Sequence, residues 1–322
     1  MMMRFATIGH LRVEEDIQQF PKSWVQGNLA ISPELDIYGT KGYITGLLLT
    51  ARQIMELPID KVRKQILEAA TFIQQKFQVD IIQLGALTTS VTDGGVWVTQ
   101  QKEYTGFVNH GDSYTSAVTC QTVFKALDLF HKKSSDLVLA VVGAYGIIGE
   151  VVTKILVPQF QHSILIGRKQ EKFKELEKTL KGDFETTVDL KTKEADIIVT
   201  ATSHPTALLQ SSHLKKNAII VDVSQPPNLS YDVSRQRPDI CRIDGGLVDF
   251  PANVPIPGMP SGKNFACIAE VIMQALENEK KNHVGSIDLK HLRTTEQWGK
   301  KYGFILNELM NYGESITRRK EI

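Results

Sequence analysis

The chain has 322 residues, 42% apolar and 23% charged, and its 37 Lys and Arg against 36 Asp and Glu leave a formal charge of +1. That length suits two domains with ample core material, and so even a charge balance offers no general attraction for nucleic acid or an anionic membrane. No apolar run reaches the roughly 18 residues of a membrane span, and the start "MMMRFATIGHL" lacks the apolar core and cleavage site of a signal peptide. A cytoplasmic protein without stable membrane insertion is expected. Cys120, Cys241 and Cys267 are odd in number and widely spaced, so free thiols are expected, with neither a disulfide framework nor a CxxC metal site.

Residues 1 to 56 mix short apolar runs with Gly and Pro and read only as α+β. After "LPID", Asp60 is placed to cap a helix whose apolar positions Val62, Ile66, Leu67, Ala70, Ile73 and Phe77 recur at three and four residue steps. "VDIIQLGALTTSV" predicts a buried strand entering a Thr/Ser loop, and Asp93-Gly94-Gly95 a hairpin turn. "DSYTSAVTCQTVFKALDLFHKK" predicts a helix capped by Asp112 or Ser113.

From Asp136 the pattern changes to short apolar runs, "DLVLAVVG", "HSILIGR", "ADIIVTAT" and "NAIIVDVS", separated by stretches that include helix-length polar ones. This alternation predicts a parallel sheet covered by helices. The first run ends in "GAYGIIG", residues 143 to 149, followed by the helical "EVVTKILVPQF". Glycines at a strand-to-helix turn let the backbone approach a pyrophosphate that the helix N-terminus attracts. Gly143, Ala144, Tyr145, Gly146, Ile147 and Gly149 are therefore the candidate dinucleotide turn, against the plainer reading of a tight turn alone. After the second run, Arg168 and Lys169 stand where an acidic residue would select NAD; a guanidinium there can pair with a 2′-phosphate, so NADPH is the expected cofactor. Thr200, Ala201, Ser203 and Val223 follow later strands, at the carboxyl ends where ligands of such sheets lie.

The chain then passes the glycine pair 245 and 246 and the proline-rich "PANVPIPGMPSGK", and enters the helix "FACIAEVIMQALENEKKN". Phe265, Ile268, Ala269, Ile272, Met273 and Ala275 fit a buried face, and "RTTEQWGKKYGFILNELMNYGES" predicts one or two closing helices. Free cysteine is commonly core filling. Cys267, however, sits near a helix start, where free N–H groups stabilise a thiolate, and Lys263 is placed to add positive charge. It is the candidate nucleophile among the three thiols.

In their order along the chain, "IGHL", "VDIIQLGALTTSV", "HGDSYTSAVTCQTV", "VVGAYGIIGEVV", "LIGR", "ADIIVTAT", "IIVD", "DGGLVD", "PSGKNFACIAE" and "WGKKYGF" resemble the cyanobacterial-type long-chain acyl-[acyl carrier protein] reductase family. The resemblance spans nearly the whole chain. It implies NADPH-dependent reduction of a fatty acyl thioester to an aldehyde, with Cys267 acylated and the glycine turn and Arg168 holding the cofactor. It departs from the family pattern at Tyr114, where the family has histidine, and after the "IVD" strand, where "VSQ" from Val223 replaces glycines. His110, Ser113 and Tyr114 are the candidate proton or hydrogen-bond donors.

The expected architecture is α/β: a Rossmann-like doubly wound parallel sheet in residues 118–262, inserted between an N-terminal α+β substrate domain, 1–117, and C-terminal helices, 263–322, that pack back on it. Acyl carrier protein or acyl-CoA is the expected substrate carrier; Arg52, Lys61, Arg63 and Lys64 are positioned to meet an acidic carrier. The sequence leaves open the oligomeric state, chain length and further reduction to alcohol. Two other readings remain: a shikimate dehydrogenase-like or glutamyl-tRNA reductase-like enzyme on a small polar substrate, and a non-catalytic NADP-binding redox sensor.

Overall fold

The computed structural model describes residues 2–251 and 259–316. The chain divides into two compact units, Met1–Tyr114 with Val248–Ile305, and Thr115–Leu247 with Leu306–Ile322. The parallel-sheet unit thus starts three residues earlier than expected and ends at 247 rather than 262; of the expected C-terminal segment, residues 263–305 group with the first unit and those from Leu306 with the second. Most of the expected proline-rich approach to Cys267, residues 252–258, lies outside the described residues.

In the first unit, the strand Phe5–Leu11 pairs in parallel with Thr40–Tyr43, Thr45–Thr50 and Ile81–Leu84, and the last of these carries Phe107–Asn109 in parallel beside it. Leu29–Ile31 runs antiparallel to Thr45–Thr50, so this sheet is mixed. The helix Ile59–Phe77 covers it, burying Val62, Ile66, Ala70 and Ile73 against Ala6, Ile8 and Ile82. Each such aliphatic side chain contributes about 1.5–3 kcal/mol on burial. The N-cap of this helix is Pro58 rather than Asp60, which lies in the first turn and acts on the dipole instead. Asp93, Gly94 and Gly95 all have positive φ, but they join the short helices Leu87–Val91 and Val96–Thr99, not a hairpin. The signal reported left-handed backbone and said nothing of what it connects. The helices Ala266–Leu276 and Leu289–Tyr302 complete the unit.

The second unit carries six parallel strands in the order Phe184–Thr187, His162–Ile166, Val138–Val142, Ile197–Thr200, Ile219–Asp222 and Cys241–Asp244. In chain order this is 3-2-1-4-5-6, the doubly wound Rossmann arrangement, whose direction reverses between Val138–Val142 and Ile197–Thr200. The four apolar runs became its four inner strands. The two edge strands escaped because "FETT" is half-exposed along its length and "CRID" carries two charges. Near-continuous apolar strands follow from burial on both faces, with Leu139, Val141 and Val199 in one core and Ala140, Ile198 and Ile220 in the other.

Candidate functional site

Two candidate sites emerge, one in each unit. In the second, Gly143 ends the strand Val138–Val142 at the switch point, with φ +88° and its Cα so near the Ala201 carbonyl that a Cβ would lie 2.4 Å from that oxygen. A Cβ on Gly149 would lie 1.9 Å from the Gly143 carbonyl oxygen. Neither position admits a side chain. Gly146 is the N-cap of the helix Ile147–Leu156 and offers no capping side chain, so the first-turn N–H groups stay available. A backbone cradle of this kind, at the reversal of strand order, fits a dinucleotide pyrophosphate.

Around the turn, Ala144 is buried while Ile147 keeps partial exposure. Tyr145 packs its ring on Gly167, where a Cβ would meet it at 2.2 Å, and its hydroxyl accepts the Lys169 N–H at 2.9 Å. Arg168 and Lys169 are exposed at the end of the strand His162–Ile166. Ala201, Ser203 and Val223 keep partial exposure beyond the ends of their strands. Thr200 is fully buried and its hydroxyl donates to Asp222 Oδ1 at 2.7 Å.

That bond opens a network the sequence reading missed. Asp222 also accepts the N–H groups of Ser224 and Leu229, and faces Arg242 at 3.5 Å. Arg242 pairs with Asp244 at 2.5 Å and lies over the Tyr312 ring at 3.9 Å. An arginine and two aspartates inside apparent strand sequence were the available signal.

In the first unit, Asn109, at the end of Phe107–Asn109, donates to Glu270 Oε1 at 3.2 Å and Gln274 Oε1 at 2.6 Å, and accepts the Gly111 N–H. Gly111 has φ +72° and touches Cys267: a Cβ there would lie 2.4 Å from the Cys267 Cβ. The helix Asp112–Leu129 starts at Asp112, whose N–H donates to His110 Nδ1 at 2.9 Å. A neutral His110 accepting at Nδ1 carries its proton on Nε2. That Nε2 is buried near the Gly285 backbone without a hydrogen-bond partner among the described residues. Burial pushes His110 down to about 4, so its ring is neutral at ordinary pH.

Cys267 lies in the first turn of Ala266–Leu276, partly exposed, with Glu270 and Gln274 at helical spacing beyond it. Glu270 is wholly buried; its Oε2 accepts the Tyr114 N–H at 2.7 Å and its Oε1 lies 3.2 Å from His291 Nε2. Burial acts most strongly and upward on Glu270, but the His291 bond and charge, His110 and the Tyr114 N–H together hold it below the usual carboxylate range. Burial and the Glu270 charge hold Asp112 well above it. Cys267 is no low-pKa thiol: burial first, then the Asp112 and Glu270 carboxylates, push it up to about 12. Lys263 does not offset this, since it belongs to the strand Lys263–Phe265 and pairs with Asp249 at 2.6 Å.

The expected donors separate. His110 joins the cluster and Ser113 is buried in the adjoining helical turn. Tyr114 is committed elsewhere: its hydroxyl donates to the Phe304 carbonyl and packs on Gly299, and burial raises its pKa. Its part is structural. Glu270 and His291 were overlooked, although a glutamate three residues after a candidate cysteine, inside an apolar helix, marked the place. Of the basic residues suggested for a carrier, Arg52 pairs with Glu56, Arg63 with Asp93 and Lys64 with Glu68.

A family model, Shikimate / quinate 5-dehydrogenase, matches residues 125–244, within the second unit. The match is to an oxidoreductase family, and the strand order of that unit is Rossmann-like. The chain is 25% identical over 258 residues to the aminotransferase PigE of Serratia sp., covering 76% of this chain and 30% of that protein. It is 27% identical over 219 residues to the long-chain acyl-[acyl-carrier-protein] reductase of Synechococcus elongatus, covering 63% of each. The chain therefore spans under a third of the first relative and just under two thirds of the second. Among solved structures, L-tryptophan dehydrogenase from Nostoc punctiforme has a TM-score of 0.43 at 11% identity, over 94% of this chain and 80% of that one. Glutamyl-tRNA reductase from Methanopyrus kandleri has a TM-score of 0.34 at 15% identity, over 78% and 53%. No helix among the described residues is long and apolar enough to cross a membrane.

Proposed function

We propose that the chain is an NADPH-dependent reductase of acyl thioesters, releasing an aldehyde, with Cys267 as the acyl acceptor and acyl carrier protein or acyl-CoA as the donor. The observation that carries this reading is a partly accessible thiol in a helix's first turn, against a buried cluster of two carboxylates and histidines. The 27% identity to an acyl-[acyl-carrier-protein] reductase supports it.

A thiol held up to about 12 is ionised in roughly one molecule in 10⁵ at pH 7, so a base must take its proton as it attacks. Glu270, kept ionised by His291 and one helical turn from Cys267, is that base. Attack of the sulfur on the thioester carbonyl breaks the carbon–sulfur bond to the carrier, whose thiolate leaves with the proton from Glu270. The acyl group then stays on Cys267 while its carrier departs. The helix N–H groups beside Cys267 stabilise the oxyanion. The Gly143 turn would hold NADPH, which would supply a hydride for reduction to the aldehyde level. As the bond between the acyl carbon and Cys267 then breaks, the sulfur leaves with the bonding pair and takes a proton from solvent.

Incubation with acyl-CoA and acyl-carrier thioesters of graded length, without NADPH, tests this by intact mass. A single acyl adduct is expected on the wild type and none on Cys267→Ser; no wild-type adduct, or an undiminished one on the variant, overturns it. A second reading, a dehydrogenase of a small polar substrate, is favoured by the family match over the cofactor unit. It predicts NADP-linked turnover of a hydroxy acid that survives Cys267→Ser. Cofactor binding with neither activity would leave the sensor reading.

A further inference from the structure

Within the first unit, three elements after Cys267 bring Glu279, His283 and His291 together, each with one ligand-type atom within 4.8 Å of the others'. Each is fixed independently. Glu279 sits in the turn that follows Ala266–Leu276, where its backbone N–H donates to the Gln274 carbonyl and its carbonyl accepts from Gln274 Nε2. His283 is held by backbone bonds to both sides of the strand Phe107–Asn109, its N–H to Val108 and its carbonyl to His110. His291 lies in the first helical turn of Leu289–Tyr302, its ring edge-on to Trp298. Both histidines are more than nine-tenths buried.

The two imidazoles stack face to face, with centroids 3.4 Å apart and planes 9° from parallel. An imidazole nitrogen donates in the plane of its ring, so an ion held by both requires the rings to rotate out of the stack. Their ligand atoms, within 4.8 Å of each other and of the Glu279 carboxylate, are near enough for that rotation to bring them to one ion. Glu279 Oε2, 2.8 Å from His283 Nε2, supplies an anionic oxygen on the same side. His291 has the outer partner that such a ligand needs: buried Glu270 takes its Nε2, which fixes the ring and leaves Nδ1 for the ion.

We propose that Glu279, His283 and His291 form a binding site for one divalent transition-metal ion of zinc type. Two imidazoles and a carboxylate suit such an ion, and the set leaves a fourth position for water. The ion would tie the turn after Ala266–Leu276 to the start of Leu289–Tyr302 and place a positive charge beside Glu270.

The test is calorimetric titration of Zn(II) into the chelator-stripped full chain, wild type and Cys267→Ser alike, which makes the outcome independent of any role for Cys267. One ion per chain is expected, with binding lost in His283→Gln and His291→Gln and weakened at least about tenfold in Glu279→Gln. Circular dichroism checks that each variant is folded; if the histidine variants are not, the half-exposed Glu279→Gln decides. Absence of stoichiometric binding, or affinity unchanged in the folded variants, overturns the proposal.

Discussion

Both units bury charge, and they treat it in opposite ways. In the parallel-sheet unit the interior aspartate Asp222 meets a guanidinium, and Arg242 also takes Asp244 and the face of Tyr312. In the other unit Asp112 and Glu270 share an interior whose cationic candidates, among the described residues that act on them, are histidines alone. Arginine stays charged throughout the physiological range, whereas histidine changes state within it. The first arrangement fixes loops around a cofactor cradle. The second leaves the positions of protons to be decided by chemistry, which is what a thiol held up to about 12 requires of its neighbours.

The contrast breaks most readily at Arg242. Arg242→Ala leaves Asp222 buried without its countercharge, and urea denaturation should show a loss of about 3–5 kcal/mol; a loss under about 1 kcal/mol would mean that the pair is solvent-screened after all.

A smaller effect sharpens the other side. The folded state keeps His110 neutral down to about 4, while the unfolded chain takes a proton near 6.5. His110's contribution is therefore complete above about pH 6.5 and is lost as pH falls toward 4. Asp112, raised by burial, acts in the opposite sense, so the measurable quantity is the wild type minus His110→Gln. That difference should shrink by up to about 3 kcal/mol across the window. A pH-independent difference would place the neutral imidazole in doubt.

The smallest effect belongs to exposed Arg168. Arg168→Ser should reduce the preference for NADPH over NADH about tenfold or less, by fluorescence titration, while binding of NADH stays nearly unchanged. Equal loss for both cofactors would remove the 2′-phosphate assignment.

The cofactor unit was the more legible in sequence because doubly buried parallel strands are written as apolar runs, and a glycine turn is written in glycines. Gly143 and Gly149 stand where backbone approaches backbone, and only one residue type permits that. The thiol cluster was less legible. Cys267 was visible as a helix-start cysteine, but its neighbours come from Asn109 to Asp112, Glu270 and His291, which only the tertiary fold gathers. Tyr114 misled because polarity at a helix start resembles a site; its hydroxyl instead ties the helix to the Phe304 carbonyl. Lys263 misled because nearness in sequence is not nearness in charge: it lies in a strand and its ammonium pairs with Asp249.

Gly111 and Cys267 touch so closely that alanine at 111 would drive its methyl carbon to 2.4 Å from the Cys267 Cβ. The same carbon would lie 2.5 Å from the Cys267 Cα and 2.7 Å from its carbonyl oxygen, atoms that every residue at 267 carries, so no substitution there makes room. Position 111 is held to glycine by the backbone of the thiol's helical turn, whatever becomes of the sulfur. A lineage that abandoned thiol chemistry would keep the glycine, so Gly111 marks the turn and not the reaction.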